Sequence, residues 1–320
     1  MRLLLQGEPS HKDLDVYGGL ELRFNANWAY YIEQNGHQAV FLPTSHISDA
    51  ARDCDFVFDA PTYVCPDKPH FHNYFSPGAP ECLKGHCPWP IMHPTAECYR
   101  DGVALDEGIP RMFAPLPYPD SLLPSETQEP FDRNLILWAN KGSFTGDWGD
   151  HRPQASMANL RVLAKLAKEF SFQVMFGGAA FVDAEPFAEE LSTLLPQIPH
   201  TNLDKIPWRQ LVVLMSQAKL SIQPGGITGC VFESIFAKSL PVAPPGFGFF
   251  QDAVAETKLL ASAQRVDEVE IEEVLRRLWT DKEYYYKIHA VFQEDFEVHR
   301  NPYEHWKKLE TFMQDSSGPP

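Results

Sequence analysis

Residues 219–245, KLSIQPGGITGCVFESIFAKSLPVAPP, carry the pattern that decides the fold of this chain. The apolar run at 220–222 is a short β-type segment, which Pro224 and the two glycines after it bring to an end. Thr228 can cap a helix that continues to about residue 238, and residues 240–243 begin another strand. The stretch therefore predicts a strand, a glycine turn, a short helix and a second strand.

The turn in this stretch has the chemistry of a phosphate site. Free backbone N–H groups at the start of a helix bind phosphate, so Gly225, Gly226, Ile227 and Thr228 are candidate ligand contacts. Glu233 lies one to two turns into the helix, where a carboxylate can accept hydrogen bonds from ribose hydroxyls. Strand-glycine-helix turns are common in α/β proteins, and the motif alone does not establish nucleotide binding.

The segment before the turn makes the pattern more specific. Residues 206–222, IPWRQLVVLMSQAKLSI, place a proline-led helix directly before the strand. With the Glu233 helix and the Leu240-Pro241-Val242 strand, this order resembles the donor cassette of GT-B glycosyltransferases. The resemblance is strongest to the large retaining family that uses nucleotide sugars (glycosyltransferase family 4-like). It implies that Glu233 binds the ribose of the donor nucleotide.

The start of the chain resembles the same family. A buried strand at 2–6 is followed by a polar loop, G-G-L-E at 18–21, a helix to about residue 35, G-H at 36–37 and a strand at 39–42. Glycines at a helix start let the backbone approach a phosphate, so Gly18 and Gly19 are candidate contacts. In isolation they could form only a flexible turn, but two cassettes in the family order favour the family fold.

The resemblance implies a domain organisation that the element pattern supports. We expect an α/β chain with a GT-B fold, in which two Rossmann-like domains with parallel sheets face each other across a cleft. The predicted domains are an N-terminal acceptor-side domain at 1–125 and a nucleotide-sugar-binding domain at 126–298. A C-terminal helix at 299–320 is expected to cross back to the first domain. We interpret residues 60–90 as a long irregular passage.

Composition excludes several classes of partner and places the protein in the cytoplasm. A net charge of −16 over 320 residues argues against nucleic acid and against anionic lipid. The six cysteines are unevenly spaced, which favours reduced thiols over a disulfide scaffold. No apolar run approaches the ~20 residues that span a bilayer, and the N-terminus lacks a signal-peptide pattern. Because the net charge argues against anionic lipid, we expect the acceptor to be soluble.

Glycosyl transfer requires positive groups or N–H donors near the leaving diphosphate. The family uses an Arg/Lys pair after the first strand of its second domain. In this chain the cations in that region are Lys141 and Arg152, although the usual G-R before the lysine is missing.

The family also has a histidine facing the donor sugar, and His93 after Pro90-Ile91-Met92 takes that place. The structural alternative for each is an ordinary surface residue.

Two features leave alternatives open. The family reads the sugar with a first glutamate, and counting back from Glu233 puts Gly225 at that position. Either the donor is unusual, another residue substitutes, or catalysis is lost.

Cysteines and histidines between 82 and 98 also allow a structural zinc, but they lack a C-x2-C knuckle. We expect no metal ligands and ordinary loop packing.

Together with the composition, the resemblance implies a cytoplasmic, metal-independent transferase that moves a sugar from a UDP-, GDP- or dTDP-sugar to a soluble acceptor hydroxyl, with retention. It should have no further cofactor. No carboxylate base can be assigned; an inverting enzyme would need one, with Glu97 or Asp59 as candidates. The alternatives are a catalytically degenerate GT-B protein that binds a nucleotide sugar without turnover, and a GT-B nucleotide-sugar epimerase.

Overall fold

The computed structural model describes residues 1–6, 20–42, 53–59, 70–73, 91–93, 111–113, 120–125, 127–139, 143–144, 152–177, 180–204, 206–223, 229–242, 267–300, 307, 310–311 and 314–315. Over these residues the chain forms two compact units, each with its own sheet. The first unit comprises Met1–Asp120 and Glu297–Pro320, and the second comprises Ser121–Phe296. Within the described residues, no helix combines the length and the apolar character needed to cross a membrane.

The first unit contains a sheet of six parallel strands in the order β2-β1-β3-β4-β5-β6. The strands are β1 Arg2–Gln6, β2 Gln38–Leu42, β3 Phe56–Asp59, β4 His70–Asn73, β5 Ile91–His93 and β6 Arg111–Phe113. Leu3, Leu4 and Leu5 of β1 are all fully buried. A continuous apolar run of this kind is typical of a parallel strand covered on both faces.

Helix α1, Leu20–Gln34, connects β1 to β2, and the G-H pair explains how it ends. Gly36 has φ +78°, a backbone conformation that favours glycine. The N–H of His37 donates to the carbonyl of Ile32 at 3.0 Å, and that of Gly36 to Glu33 at 3.1 Å. This is the Schellman arrangement, which satisfies the last carbonyls of a helix. It turns the chain directly into β2.

The second unit contains a sheet of five parallel strands in the order β11-β10-β7-β8-β9. The strands are β7 Leu135–Trp138, β8 Gln173–Phe176, β9 His200–Asn202, β10 Ala218–Ile222 and β11 Leu240–Val242. The helices are α2 Arg152–Leu166, α3 Ala188–Leu194, α4 Trp208–Met215, α5 Gly229–Phe236, α6 Glu268–Thr280 and α7 Lys282–Arg300, whose last four residues belong to the first unit. All five residues of β10 are buried, as expected for an inner strand.

Two features of the fold differ from the sequence expectations. The interpretation of residues 60–90 as irregular throughout is wrong, because β4 lies within them and pairs with β3 and β5. Helix α7 occupies residues for which no helix is predicted. At the C-terminus, the described residues Lys307, Glu310 and Thr311 are helical. The Glu310 carboxylate lies 2.9 Å from His37 Nε2 within the first unit.

Candidate functional site

The strand order defines one candidate ligand-binding position in each sheet. In the second unit the chain runs from β7 outward through β8 and β9, and then returns to β10 and β11 on the other side of β7. In the first unit, β2 lies on one side of β1, and β3 to β6 lie on the other. Parallel α/β sheets bind ligands at the carboxyl ends of their strands, where the strand order reverses. Those positions are between β7 and β10 and between β1 and β3.

The two sequence cassettes belong to these positions. Gly18 and Gly19 immediately precede α1 in the connection that follows β1. Residues 224–228, which include the candidate contacts of the glycine turn, connect β10 to α5. Lys141 follows β7 by three residues. Each cassette thus begins at the carboxyl end of a strand that borders a reversal point.

Backbone contacts bring the end of β7 close to β8 and to the first turn of α5. The N–H of Gly177 donates to the carbonyl of Trp138 at 2.8 Å. A Cβ on Gly177 would lie only 3.3 Å from that carbonyl oxygen, so the absence of a side chain allows the approach. On the other side, Cys230 Sγ lies 3.8 Å from the carbonyl oxygen of Ala139. The segment that leads to Lys141 therefore starts beside the amino end of α5.

The same segment is anchored again two residues after Lys141. Ser143 is fully buried; its hydroxyl accepts a 2.9 Å hydrogen bond from Trp138 Nε1. Its carbonyl accepts a 2.7 Å hydrogen bond from the hydroxyl of Ser156 in α2. The ring of Phe144 stacks on Phe181 with centroids 5.9 Å apart. These contacts tie the loop after β7 to both β7 and α2.

A buried hydrogen-bond cluster fixes α5 against the end of β10. Gln223, the residue after β10, is fully buried, and its amide nitrogen lies 3.2 Å from the hydroxyls of both Ser221 and Ser234. The Ser234 hydroxyl also lies 2.6 Å from the carbonyl oxygen of Cys230. Buried polar groups need such partners to offset their desolvation. The cluster holds the strand and helix on either side of residues 224–228.

Glu233 occupies the core of this arrangement. Its carboxylate is fully buried, and Oε1 accepts a 2.5 Å hydrogen bond from the indole nitrogen of Trp208, the first residue of α4. Trp208 is itself 1% exposed. Sequence motifs point to Glu233 as a site residue but give no sign that Trp208 is its partner, because 25 residues separate them.

The other predicted site residues are placed to different extents. His93 is the last residue of β5, paired in register with Phe113, and lies at the same edge of its sheet as the end of β1. With strands about 4.8 Å apart and two strands between them, the separation is roughly 14 Å. Arg152 is the first residue of α2. The remaining candidates lie outside the described residues: Gly18, Gly19, Lys141, Gly225, Gly226, Ile227 and Thr228.

The possible zinc ligands at 82, 86, 87 and 98 also lie outside the described residues. Within the described part of the chain, no three His, Cys, Asp or Glu side chains converge in a way that could hold a metal ion.

A second buried cluster lies at the opposite end of the same sheet and is separate from the candidate site. The Lys219 amine, at the amino end of β10, donates to the carbonyl of Trp279 at 2.9 Å and lies 3.6 Å from the centroid of the Phe131 ring. Burial lowers the pKa of Lys219 to about 8, and the charge of Asp132 offsets part of this effect. The hydroxyl of Tyr285 donates to the Lys219 carbonyl at 3.1 Å.

Comparison with known proteins identifies the fold. No protein-family model and no curated protein matches the sequence. Among solved structures, sucrose-phosphate synthase from Thermosynechococcus elongatus is similar with a TM-score of 0.67 at 10% identity, covering 98% of each chain. WaaG, a glycosyltransferase involved in lipopolysaccharide biosynthesis, has a TM-score of 0.63 at 13% identity, covering 98% of this chain and 99% of its own.

A third similar structure comes from a different enzyme class. A Listeria monocytogenes protein, assigned as a UDP-N-acetylglucosamine 2-epimerase, has a TM-score of 0.65 at 10% identity. It covers 100% of this chain and 97% of its own. The chain therefore has the GT-B fold, with two Rossmann-like units built on parallel sheets, as the sequence predicts. The fold is shared by transferases and epimerases, so the fold alone does not define the reaction.

Proposed function

We propose that this protein is a glycosyltransferase that moves a sugar from a nucleoside-diphosphate sugar to an acceptor hydroxyl. The observation that carries the proposal is the position of the two glycine cassettes. Each one follows a strand at the reversal point of its own parallel sheet. Strand order locates such sites without reference to any relative, so it supports the resemblance independently.

The donor nucleotide is proposed to bind at the carboxyl ends of β7 and β10. The diphosphate would meet backbone N–H groups of Gly226, Ile227 and Thr228 together with the cations Lys141 and Arg152. The described residues on either side of Lys141 in the sequence, Ala139 and Ser143, contact Cys230 and Trp138 respectively.

Glu233 is proposed to accept hydrogen bonds from the ribose hydroxyls. Because its carboxylate has no exposed surface, a ribose can reach it only if neighbouring atoms move on binding. Gly225, which replaces the sugar-reading glutamate of the family, leaves recognition of the sugar to other groups. His93 is the candidate for that contact from the first unit, as the resemblance implies.

The reaction is proposed to proceed with retention and without a bound metal. The bond between the anomeric carbon and the diphosphate oxygen breaks, and the bond to the acceptor oxygen forms on the same face of the sugar. The acceptor proton passes to the leaving diphosphate, which removes the need for a carboxylate base. The donor is proposed to be a UDP-, GDP- or dTDP-sugar, the acceptor a soluble molecule and the compartment the cytoplasm.

Nucleotide binding is tested by thermal unfolding with UDP, GDP, dTDP, ADP and their common sugar conjugates. A ligand at one hundred times its dissociation constant stabilises the protein by about 2.7 kcal/mol, which shifts the unfolding midpoint measurably. A shift with one nucleoside diphosphate and its conjugates is expected. No shift with any of them would contradict the proposal.

Two alternative functions have specific support. Gly225 at the position of the family glutamate favours a degenerate protein that binds nucleotide sugar without turnover. The similarity to the Listeria epimerase favours a nucleotide-sugar epimerase. Incubating the selected sugar conjugate with an acceptor mixture separates the three: a transferase releases nucleoside diphosphate, an epimerase changes the sugar configuration, and a degenerate protein does neither. The anomeric configuration of a transfer product tests retention. Turnover in EDTA tests the absence of a bound metal, and we expect the rate to be unchanged.

A further inference from the structure

We infer that Trp208 is a positioning residue that fixes the Glu233 carboxylate for recognition of the ribose. The inference rests on the proposed function, because it assigns a role within the proposed nucleotide site. The indole nitrogen donates to Glu233 Oε1 at 2.5 Å, and both side chains are at most 1% exposed.

The chemistry of the pair favours positioning over simple packing. A glutamate side chain has three rotatable bonds, and ordering it costs conformational entropy. The indole is a directional donor to one carboxylate oxygen, and holding that oxygen restricts the direction of the other. A buried carboxylate also needs hydrogen-bond donors to offset its desolvation. An apolar pair of the same volume would pack α4 on α5 without either cost.

The packing around Trp208 holds its indole in a fixed position. Pro207 precedes it in an extended conformation, and Trp208 begins α4 at once. Val212 and Met215 are buried on the same face of α4 at helical spacing. The Met215 sulfur lies 3.8 Å from the Ser234 hydroxyl of α5. Helices α4 and α5 therefore meet at Ser234 as well as at Glu233, and the indole donor is held relative to the carboxylate.

The test measures how strongly each variant discriminates between a nucleoside diphosphate and its analogue without the ribose hydroxyls. Dissociation constants are measured for UDP, GDP, dTDP and ADP, each against its 2′,3′-dideoxy analogue, for the wild type, Glu233→Ala, Trp208→Phe and Tyr285→Phe. Trp208→Phe removes the donor and keeps an aromatic ring. Tyr285→Phe is the matched control, because it deletes one buried donor at the opposite end of the same sheet.

We expect the wild type to bind one of the four diphosphates about ten-fold or more tighter than its dideoxy analogue, a typical effect of hydrogen bonds to a charged group. Glu233→Ala and Trp208→Phe should reduce this ratio several-fold towards one, and Tyr285→Phe should keep it. A Trp208→Phe ratio equal to the wild-type ratio, while Glu233→Ala loses it, overturns the role of Trp208 and leaves the proposed function standing. Equal weakening of both ligands by Trp208→Phe also overturns it, since that reports only altered packing.

Wild-type binding without discrimination, or no binding in any pair, overturns the ribose role of Glu233 and this inference with it. If Trp208→Phe does not fold, the indole N–H resonances of the wild type provide the same test. The Trp208 resonance is assigned as the one displaced by Glu233→Gln. We expect it to move more with the diphosphate than with its dideoxy analogue, and equal movement overturns the inference.

Discussion

The hydroxyl of Ser156 donates a 2.7 Å hydrogen bond to the backbone carbonyl of Ser143. This contact joins α2 to the loop that follows β7. The indole nitrogen of Trp138, the last residue of β7, donates to the hydroxyl of Ser143. Ser143 is therefore held by both α2 and β7. Lys141 lies two residues before this anchor, and the proposed diphosphate contact therefore depends on it.

Ser156→Ala should weaken binding of the diphosphate without changing recognition of the nucleoside. Loss of one buried hydrogen bond costs about 1 kcal/mol of stability and loosens the loop that carries Lys141. The measurement is the affinity for the nucleoside diphosphate selected by thermal unfolding, compared with its nucleoside. Ser192→Ala is the control, because Ser192 also donates to a backbone carbonyl but is exposed in α3. Equal losses of diphosphate affinity in the two variants would contradict a role of the Ser156–Ser143 hydrogen bond in the diphosphate site.

Lys141→Met should lower affinity for the diphosphate about ten-fold, since charge-assisted contacts to phosphate are among the stronger hydrogen bonds. Affinity for the nucleoside should not change. Titration calorimetry at two salt concentrations measures both quantities, and the salt dependence of diphosphate binding should weaken in the variant. Lys168→Met, at an exposed position in the same unit, is the matched control. A Lys141→Met protein that binds diphosphate as the wild type does would remove Lys141 from the site.

Trp208→Phe and Glu233→Ala should each lower the free energy of unfolding by about 1–3 kcal/mol, because each removes the buried hydrogen bond between the two side chains together with some packing. The double variant should lose less than the sum of the two, since their shared hydrogen bond can be lost only once. Urea unfolding of the four proteins gives the coupling energy. Strict additivity would show that the hydrogen bond contributes nothing to stability.

Lys219 should give the protein a distinctive pH dependence. Its pKa is lowered from 10.5 to about 8, chiefly by burial, so between these values the unfolded chain binds more protons than the folded protein. The free energy of unfolding therefore receives a contribution that rises with pH across this window, and below pH 8 the folded state carries the full desolvation cost. Lys219→Met should be at least as stable as the wild type at pH 7 and should lack this rise. Parallel pH profiles of the two proteins would contradict the assignment.

Sequence patterns predicted the elements that border the site because local signals agree there. The apolar runs of β1 and β10, the glycines before α1, and the Gly36 that ends it each have a local physical reason. Strand β4 lacks such a signal: His70-Phe71-His72-Asn73 is short and polar, and it forms a strand through its pairing with β3 and β5. Tertiary pairing overrides local propensity at such a segment.

The polar contacts inside the second unit were not predictable for a different reason. Trp208 and Glu233 are both visible in the sequence, but their hydrogen bond depends on how α4 packs on α5. The burial of Lys219 depends on rings from three separate segments, Phe131, Trp279 and Tyr285. Spacing along the chain carries no information about such contacts. The candidate residues could therefore be proposed from the sequence, and their partners could not.

The most direct test of the proposed donor site is a crystal structure of the protein with the nucleoside diphosphate that thermal unfolding selects. We expect the ribose hydroxyls to lie within hydrogen-bond distance of the Glu233 carboxylate. We also expect the diphosphate to lie at the amino end of α5, in contact with Lys141 or Arg152. A nucleotide bound at any other position in the chain, with the carboxyl ends of β7 and β10 empty, would contradict it.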